Sequence, residues 1–172
     1  MLCTFLYADM FPDDGSWFRY TQIFFRWSQI PDASGYSLTI HNITNDVEYN
    51  YYCLENSILI TDAINWNTSY YWSVNALDAN NDIFFNSDIY SLTISPLPDY
   101  FPDEINVPVY NESGYQPGVT IMDFESLDFS GGLDKNGTPI WFVDQENFSY
   151  RFVFTQFLKN GNIIGFGPGK GY

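Results

Sequence analysis

The chain has 172 residues, which is enough for one large domain or for one small domain and part of another. Its 6 Lys and Arg residues stand against 21 Asp and Glu residues, a formal net charge of -15, and neither Lys nor Arg occurs between Arg26 and Lys135. Such a chain repels phosphate, so nucleic acid is excluded as a partner and an anionic membrane surface is disfavoured. Hydrophobic residues at 45% and aromatic residues at 20% suffice for a packed core and favour strands. No apolar run reaches the ~20 residues that a membrane helix needs.

Short strands separated by turns are predicted from the N-terminus onward. Residues 1–20 predict a lead-in strand followed by a turn at 12–15, where Pro12 and Gly15 supply suitable backbone angles. Alternating apolar and polar residues, the pattern of half-buried strands, then predict strands at 21–27, 36–41, 47–53, 57–61, 64–76 and 88–94. A polar loop is predicted at 78–82.

The segment from Ile64 to Ala76 is the most regular of these strands. Every second residue falls on one almost wholly apolar face, and these residues are Ile64, Trp66, Thr68, Tyr70, Trp72, Val74 and Ala76. The residues between them are polar, with Tyr71 as the exception. The segment therefore predicts an antiparallel strand with one face on a core and the other in water.

About seven short strands before residue 96, with no helical period, predict an immunoglobulin-like β-sandwich of two sheets. The residues also resemble the fibronectin type III family, through Trp27, the run Pro31-x-Ala33-x-x-Tyr36-x-Leu38-x-Ile40 and the strand at 64–76. The resemblance implies that Tyr70 is a tyrosine corner, whose hydroxyl is tied to the backbone before its strand. Trp66 departs from the family, which often has Pro there. The resemblance covers residues 10–96 and implies a fold rather than an activity.

Prolines end this module and mark a domain boundary. Pro96, Pro98 and Pro102 lie close together, and proline neither fits the middle of a sheet nor leaves a connector flexible. The predicted organisation is a fibronectin type III-like sandwich at 1–96, a linker at 97–118 and a second β-rich segment at 119–172.

The second segment predicts antiparallel hairpins. A strand is expected at 119–124, followed by a hairpin at 131–144 around Asn136-Gly137, a pair that suits a type I′ turn. A second hairpin is expected from strands at 151–158 and 163–166 around Asn160-Gly161. A meander of about four strands has the size of one β-propeller blade.

This segment resembles the first blade of the arylsulfotransferase-like β-propellers. The resemblance is carried by GVTIMD at 118–123, LDKNGTPIW at 133–141 and FLKNGNIIGFG at 157–167. The family moves sulfate between phenols through a histidine nucleophile, without the nucleotide donor PAPS, so the resemblance implies a phenolic sulfate substrate for a longer protein. One blade cannot close a ring, so more chain is expected after Tyr172.

No residue of this chain is predicted to be catalytic, to bind a cofactor or to hold a metal. His41, the single histidine, is expected on the outward, solvated side of its strand, and Arg151 is expected to form a surface ion pair. No nucleotide-binding or hydrolase motif occurs. Asp78, Asn80 and Asp82 have the spacing that opens a calcium loop, but Ile83 stands where an EF-hand needs Gly.

The two cysteines, Cys3 and Cys53, form no metal motif. A disulfide between them and two free thiols both remain open, because the pairing depends on the redox state of the compartment.

The sequence therefore predicts the N-terminal part of an exported, extracellular or periplasmic, arylsulfotransferase-like protein. Its sandwich would be a spacer or docking unit, and the isolated chain would be inactive. The alternative is an extracellular adhesion or carbohydrate-binding module without catalysis. Tyr49, Tyr51, Tyr52 and Tyr71 are expected to be exposed and could stack on a sugar or a phenol, although packing at a strand edge is the favoured role.

Overall fold

A computed structural model describes residues 10–99, 101–102, 105, 114, 118–124, 129–143, 153–157 and 163–166. The regular elements of these residues are β-strands in mostly antiparallel sheets, so the all-β fold class predicted from the sequence is confirmed. Within the same residues, no helix has the length and hydropathy needed to cross a membrane. The chain divides into two compact units, Met1–Pro96 and Leu97–Tyr172.

The described strands of the first unit are β1 Ser16–Phe18, β2 Ile23–Arg26, β3 Gly35–Asn42, β4 Val47–Cys53, β5 Ser57–Ile60, β6 Thr68–Leu77, β7 Ile83–Asn86 and β8 Tyr90–Ile94.

The described strands of this unit form two sheets. The larger sheet has the order β1-β8-β6-β3-β4, and β7 pairs with the C-terminal end of β6. The smaller sheet pairs β2 with β5, and a bridge between Phe11 and Arg26 joins the preceding chain to it. The described pairs are antiparallel except β1 with β8, which run parallel.

The core lies between the two sheets. Ile23 and Phe25 of β2 are fully buried. The ring of Phe25 meets Trp72 of the larger sheet edge-on with 5.1 Å between centroids, and Trp27 meets Tyr36 in the same way at 5.3 Å. The sheets therefore pack face to face as a sandwich. Each large side chain buried in this way stabilises the fold by about 1.5–3 kcal/mol.

β6 lies at the centre of the larger sheet and shows the predicted alternation. Its buried, inward residues at every second position are Thr68, Tyr70, Trp72, Val74 and Ala76. The predicted start of this strand at Ile64 is wrong, because β6 begins at Thr68. Asn67 explains the difference: its φ of 54° lies in the left-handed region, and its N–H donates to the Ser95 carbonyl at 2.9 Å. Residues 64–67 therefore belong to the connection from β5.

Tyr70 ties this connection to the core. Its hydroxyl accepts a hydrogen bond from the Asn65 N–H at 2.7 Å and donates to the Ala63 carbonyl at 3.4 Å. The predicted tie between this hydroxyl and the backbone before the strand is confirmed. The Tyr36 hydroxyl similarly accepts from the Ile30 N–H at 3.1 Å. Both tyrosines are fully buried, so each hydroxyl satisfies a backbone group at the margin of the core.

β7 is a strand that the sequence analysis did not predict, because the run Ile83-Phe-Phe-Asn86 shows no alternation. Asp78 builds the turn that leads into it. The Asp78 Oδ1 accepts from the N–H groups of Asn80 and Asp82 at 2.8 and 3.0 Å, and Asn81 takes a left-handed φ of 65°. The predicted polar loop is thus a hairpin turn closed by its own first side chain.

The second unit contains β9 Thr120–Phe124, β10 Phe129–Leu133, β11 Pro139–Val143, β12 Val153–Phe157 and β13 Ile163–Phe166. The first three form a meander in the order β11-β10-β9, and β12 and β13 form a separate antiparallel pair. All five residues of β10 are buried, and Phe129 at its start packs 5.0 Å from the ring of Phe101. The predicted Asn160-Gly161 turn lies outside the described residues.

The turn between β10 and β11 repeats the design of the turn before β7. The Asp134 Oδ1 accepts from the N–H groups of Asn136 and Thr138, both at 2.8 Å. Gly137 has a φ of 84°, but Asn136 has no positive φ. The predicted type I′ turn, which needs a positive φ at both residues, is therefore wrong. A three-residue loop with one left-handed glycine replaces it, because the Asp134 side chain holds the loop in that form.

Candidate functional site

A groove opens on the outer face of the larger sheet, on the side opposite the core. The register of three adjacent strands creates it: His41 on β3 lies opposite Glu48 on β4 and opposite Tyr71 on β6. Thr39 in turn lies opposite Ser73. The groove has a volume of about 240 Å³, and its lining residues are Thr39, His41, Glu48, Tyr71, Trp72, Ser73 and Ile89.

A chain of hydrogen bonds fixes the polar floor of this groove. The Thr39 hydroxyl donates to the Asn50 Oδ1 at 2.8 Å, and the Asn50 Nδ2 donates to the Glu48 Oε1 at 2.9 Å. The second carboxylate oxygen of Glu48 accepts nothing from the described residues. Because Asn50 restrains the Glu48 side chain, an unused acceptor is held in place beside the groove.

Two apolar side chains form the sides of the groove. Tyr71 is 48% exposed and Ile89 is 71% exposed, although both are large hydrophobic residues. Neither the Tyr71 hydroxyl nor the Ser73 hydroxyl bonds to the described part of the chain. Below them, the Trp72 side chain points the other way and is 1% exposed in the core. A rigid floor therefore carries exposed apolar surface next to free hydroxyl groups.

The charge around the groove is negative. The His41 Nε2 lies 3.3 Å from a carboxylate oxygen of Asp46, whose side chain is 92% exposed. Glu48 adds a second carboxylate, and the described lining residues include neither Lys nor Arg. An anionic ligand would be repelled from this groove.

The geometry of His41 does not assemble a nucleophile. Its nearest described polar partner is the Asp46 carboxylate, and the Thr39 hydroxyl is directed at Asn50. A histidine activates a nucleophile only within hydrogen-bond reach of it. His41 does lie on the outward face of its strand, as predicted, but its side chain is only 34% exposed because the groove partly encloses it.

The predicted set of exposed aromatics is half right. Tyr52 and Tyr71 are exposed, whereas Tyr49 and Tyr51 are only partly exposed and pack against the core. The register explains the error, since Tyr49 and Tyr51 pair with the inward residues of β3. The Tyr51 hydroxyl donates to Asp62 at 2.9 Å, and burial together with this carboxylate raises the pKa of Tyr51 to about 12.

Asp78 and Cys53, the remaining sequence candidates among the described residues, do not line the groove. Hydrogen bonds from the backbone of Asp82 and Asn80 lower the pKa of Asp78, whose carboxylate thus serves the turn. Cys53 is a free thiol, and burial raises its pKa. Cys3 and Arg151 lie outside the described residues. Among the residues described, no three His, Cys, Asp or Glu side chains are grouped as a metal site would require.

Sequence reasoning missed Thr39, Glu48, Ser73 and Ile89 as neighbours of one groove. They come from β3, β4, β6 and the segment before β8, and only the strand register brings them together. The one signal in the sequence was Tyr71, the sole aromatic on the polar face of its strand.

No protein-family model matches this chain, and a search of the curated proteins finds no match. The molecule is thus defined by its fold and its surface: an all-β protein whose sandwich unit carries an open, acidic, partly aromatic groove.

Proposed function

We propose that this chain is the front section of an exported arylsulfotransferase-like protein, in which the sandwich is a spacer or docking unit. One observation carries the proposal. The motif LDKNGTPIW is folded as a hairpin between β10 and β11, with Asp134 and Gly137 each in a defined structural role. An aspartate that closes the turn and a left-handed glycine are what a recurring Asp-x-Asn-Gly hairpin requires.

Sulfate transfer would be performed by a longer protein and not by these 172 residues. The family that the second unit resembles uses a histidine nucleophile, and the single histidine here, His41, belongs to the sandwich and faces Asp46. The negative groove around His41 also disfavours a sulfate ester, because Glu48 and Asp46 would repel it. The nucleophile and the arginines that bind sulfate would therefore come from further blades.

An extracellular or periplasmic location is part of this proposal. The net charge of -15 suits a protein that stays soluble in a salty medium.

An aryl-sulfate assay tests the proposed function. The complete reading frame and the 172-residue chain would each be expressed and given 4-methylumbelliferyl sulfate, with phenol as acceptor and without PAPS. We expect fluorescence release and phenyl sulfate formation from the longer protein and neither from the short chain. A longer protein that transfers no sulfate, or a short chain that does, would refute the proposal.

A further inference from the structure

We propose that the groove on the outer face of β3, β4 and β6 binds a neutral sugar. This inference goes beyond the proposed function because it gives the sandwich a ligand of its own. It depends on the groove alone and not on sulfate transfer by another part of a longer protein.

The apolar sides of the groove fit the C–H face of a sugar ring. Tyr71 is 48% exposed on a strand whose other outward residues are polar, and Ile89 is 71% exposed beside it. Aromatic rings offer a large, rigid contact area, which holds a flat ligand at a small cost in conformational entropy. Covering these two side chains would remove exposed apolar surface from water.

The polar groups of the groove fit the hydroxyls of a sugar. The hydroxyls of Tyr71 and Ser73 can donate and accept hydrogen bonds. The Thr39 hydroxyl donates to Asn50 and is left as an acceptor, like the free oxygen of Glu48. An ammonium group only donates, so a cationic ligand would leave the donor capacity of two hydroxyls unused. A sugar hydroxyl donates and accepts, and it can therefore use the whole set.

The groove is organised before any ligand binds. Asn50 links Thr39 to Glu48 through bonds of 2.8 and 2.9 Å, and this restrains the carboxylate. A restrained acceptor loses less conformational entropy on binding than a freely rotating glutamate. The same carboxylate, with Asp46, excludes sulfated or phosphorylated sugars by repulsion, which restricts the ligand to neutral saccharides.

Affinity electrophoresis of the 172-residue chain tests the inference. The native gels would contain hydroxyethylcellulose, galactomannan, xylan or laminarin as neutral polysaccharides, and chondroitin sulfate as an anionic one. We expect at least one neutral polysaccharide to retard the chain and chondroitin sulfate to have no effect. Retardation by none of the neutral polysaccharides, or by chondroitin sulfate alone, would overturn the inference.

Two tyrosine variants locate the binding surface. Tyr71→Ala removes the aromatic side of the groove, and we expect affinity for the retarding polysaccharide to fall roughly tenfold or more. Tyr52→Ala is the matched control, because Tyr52 is also an exposed tyrosine of the larger sheet but lies over Gly35, outside the groove. Equal losses in the two variants would place binding elsewhere and refute the inference.

Glu48→Gln supplies a test that does not depend on the folding of Tyr71→Ala. The change is isosteric at an exposed position, and it replaces a charged acceptor by a weaker neutral one. We expect binding of the neutral polysaccharide to weaken by roughly three- to tenfold. Unchanged or stronger binding would show that Glu48 does not receive a ligand hydroxyl, and it would contradict the assignment.

Discussion

Replacing Tyr70 by Phe tests the main structural tie of the sandwich. The hydroxyl is the partner of the Asn65 N–H at 2.7 Å, and the ring is fully buried, so no water can take the place of the lost oxygen from the core side. A net hydrogen bond contributes about 0.5–1.5 kcal/mol, and a backbone group left without a partner costs about 1–3 kcal/mol. Because Asn65 is exposed and its N–H can be partly hydrated, we expect a loss of about 1–2 kcal/mol.

The assay is urea unfolding of the full chain followed by tryptophan fluorescence. Trp27 and Trp72 are buried in the sandwich core and report its unfolding. We expect the Tyr70→Phe midpoint to fall with an unchanged slope, which signals lost stability without a change in compactness. For a domain of this size the same loss lowers the melting temperature by about 4–8 °C per kcal/mol.

Tyr71→Phe is the control for this experiment. Tyr71 is the next residue of the same strand, faces solvent, and its hydroxyl bonds to no described residue, so the change should alter stability by less than about 0.5 kcal/mol. If the two variants lose equally little stability, the hydroxyl of Tyr70 is not a structural tie and the reasoning fails.

Three further predictions concern turns, strands and pH. The Ser91 hydroxyl and N–H lower the pKa of Asp14 below its ordinary 3.8, so its contribution to stability is present above that value and lost as pH falls through the lower folded-state pKa. The stability difference between wild type and Asp14→Asn should therefore be constant near neutral pH and shrink in acid; a difference independent of pH contradicts this. Asn81 has a φ of 65°, in the left-handed region. Asn81→Ala should therefore lower the free energy of unfolding, measured in urea, by about 1 kcal/mol, and Asn81→Gly should leave it unchanged. Equal losses in the two variants would exclude backbone strain as the cause. A Cβ on Gly132 would lie 3.1 Å from Val119 and 3.4 Å from Trp141. Gly132→Val should therefore lower the free energy of unfolding by about 1–3 kcal/mol and speed hydrogen exchange of the β10 amides. Unchanged exchange would argue against close packing at this position.

The alternation of apolar and polar residues predicted the strands because each sandwich strand has one solvent-exposed face and one buried face. β4 has the predicted bounds, Val47–Cys53, and the inward set of β6 was identified residue by residue. The alternation failed as a guide where another interaction determined the backbone conformation. Residues 64–67 continue the alternation, yet the left-handed Asn67 ends the strand, and β7 forms as a hairpin partner of β6 without any alternation of its own.

The groove was less predictable because it depends on register rather than on periodicity. A one-residue shift between β3 and β4 would turn Glu48 inward and Tyr49 outward. Within β4, Glu48 and Asn50 alternate with Val47, Tyr49 and Tyr51, so the local pattern favours Tyr49 on the core face and its predicted exposure ignored that pattern. The local pattern does not show which residues of the neighbouring strand lie beside Glu48, and the pairing of His41 with Glu48 supplies this.

Reading the coding DNA on both sides of this segment tests the proposed function most directly. We expect an export signal before Met1. After Tyr172 we expect further Asn-Gly hairpins at the spacing of propeller blades, with His and Arg at inward positions. A reading frame that stops at Tyr172, or that continues into repeated sandwich modules, would contradict the proposal.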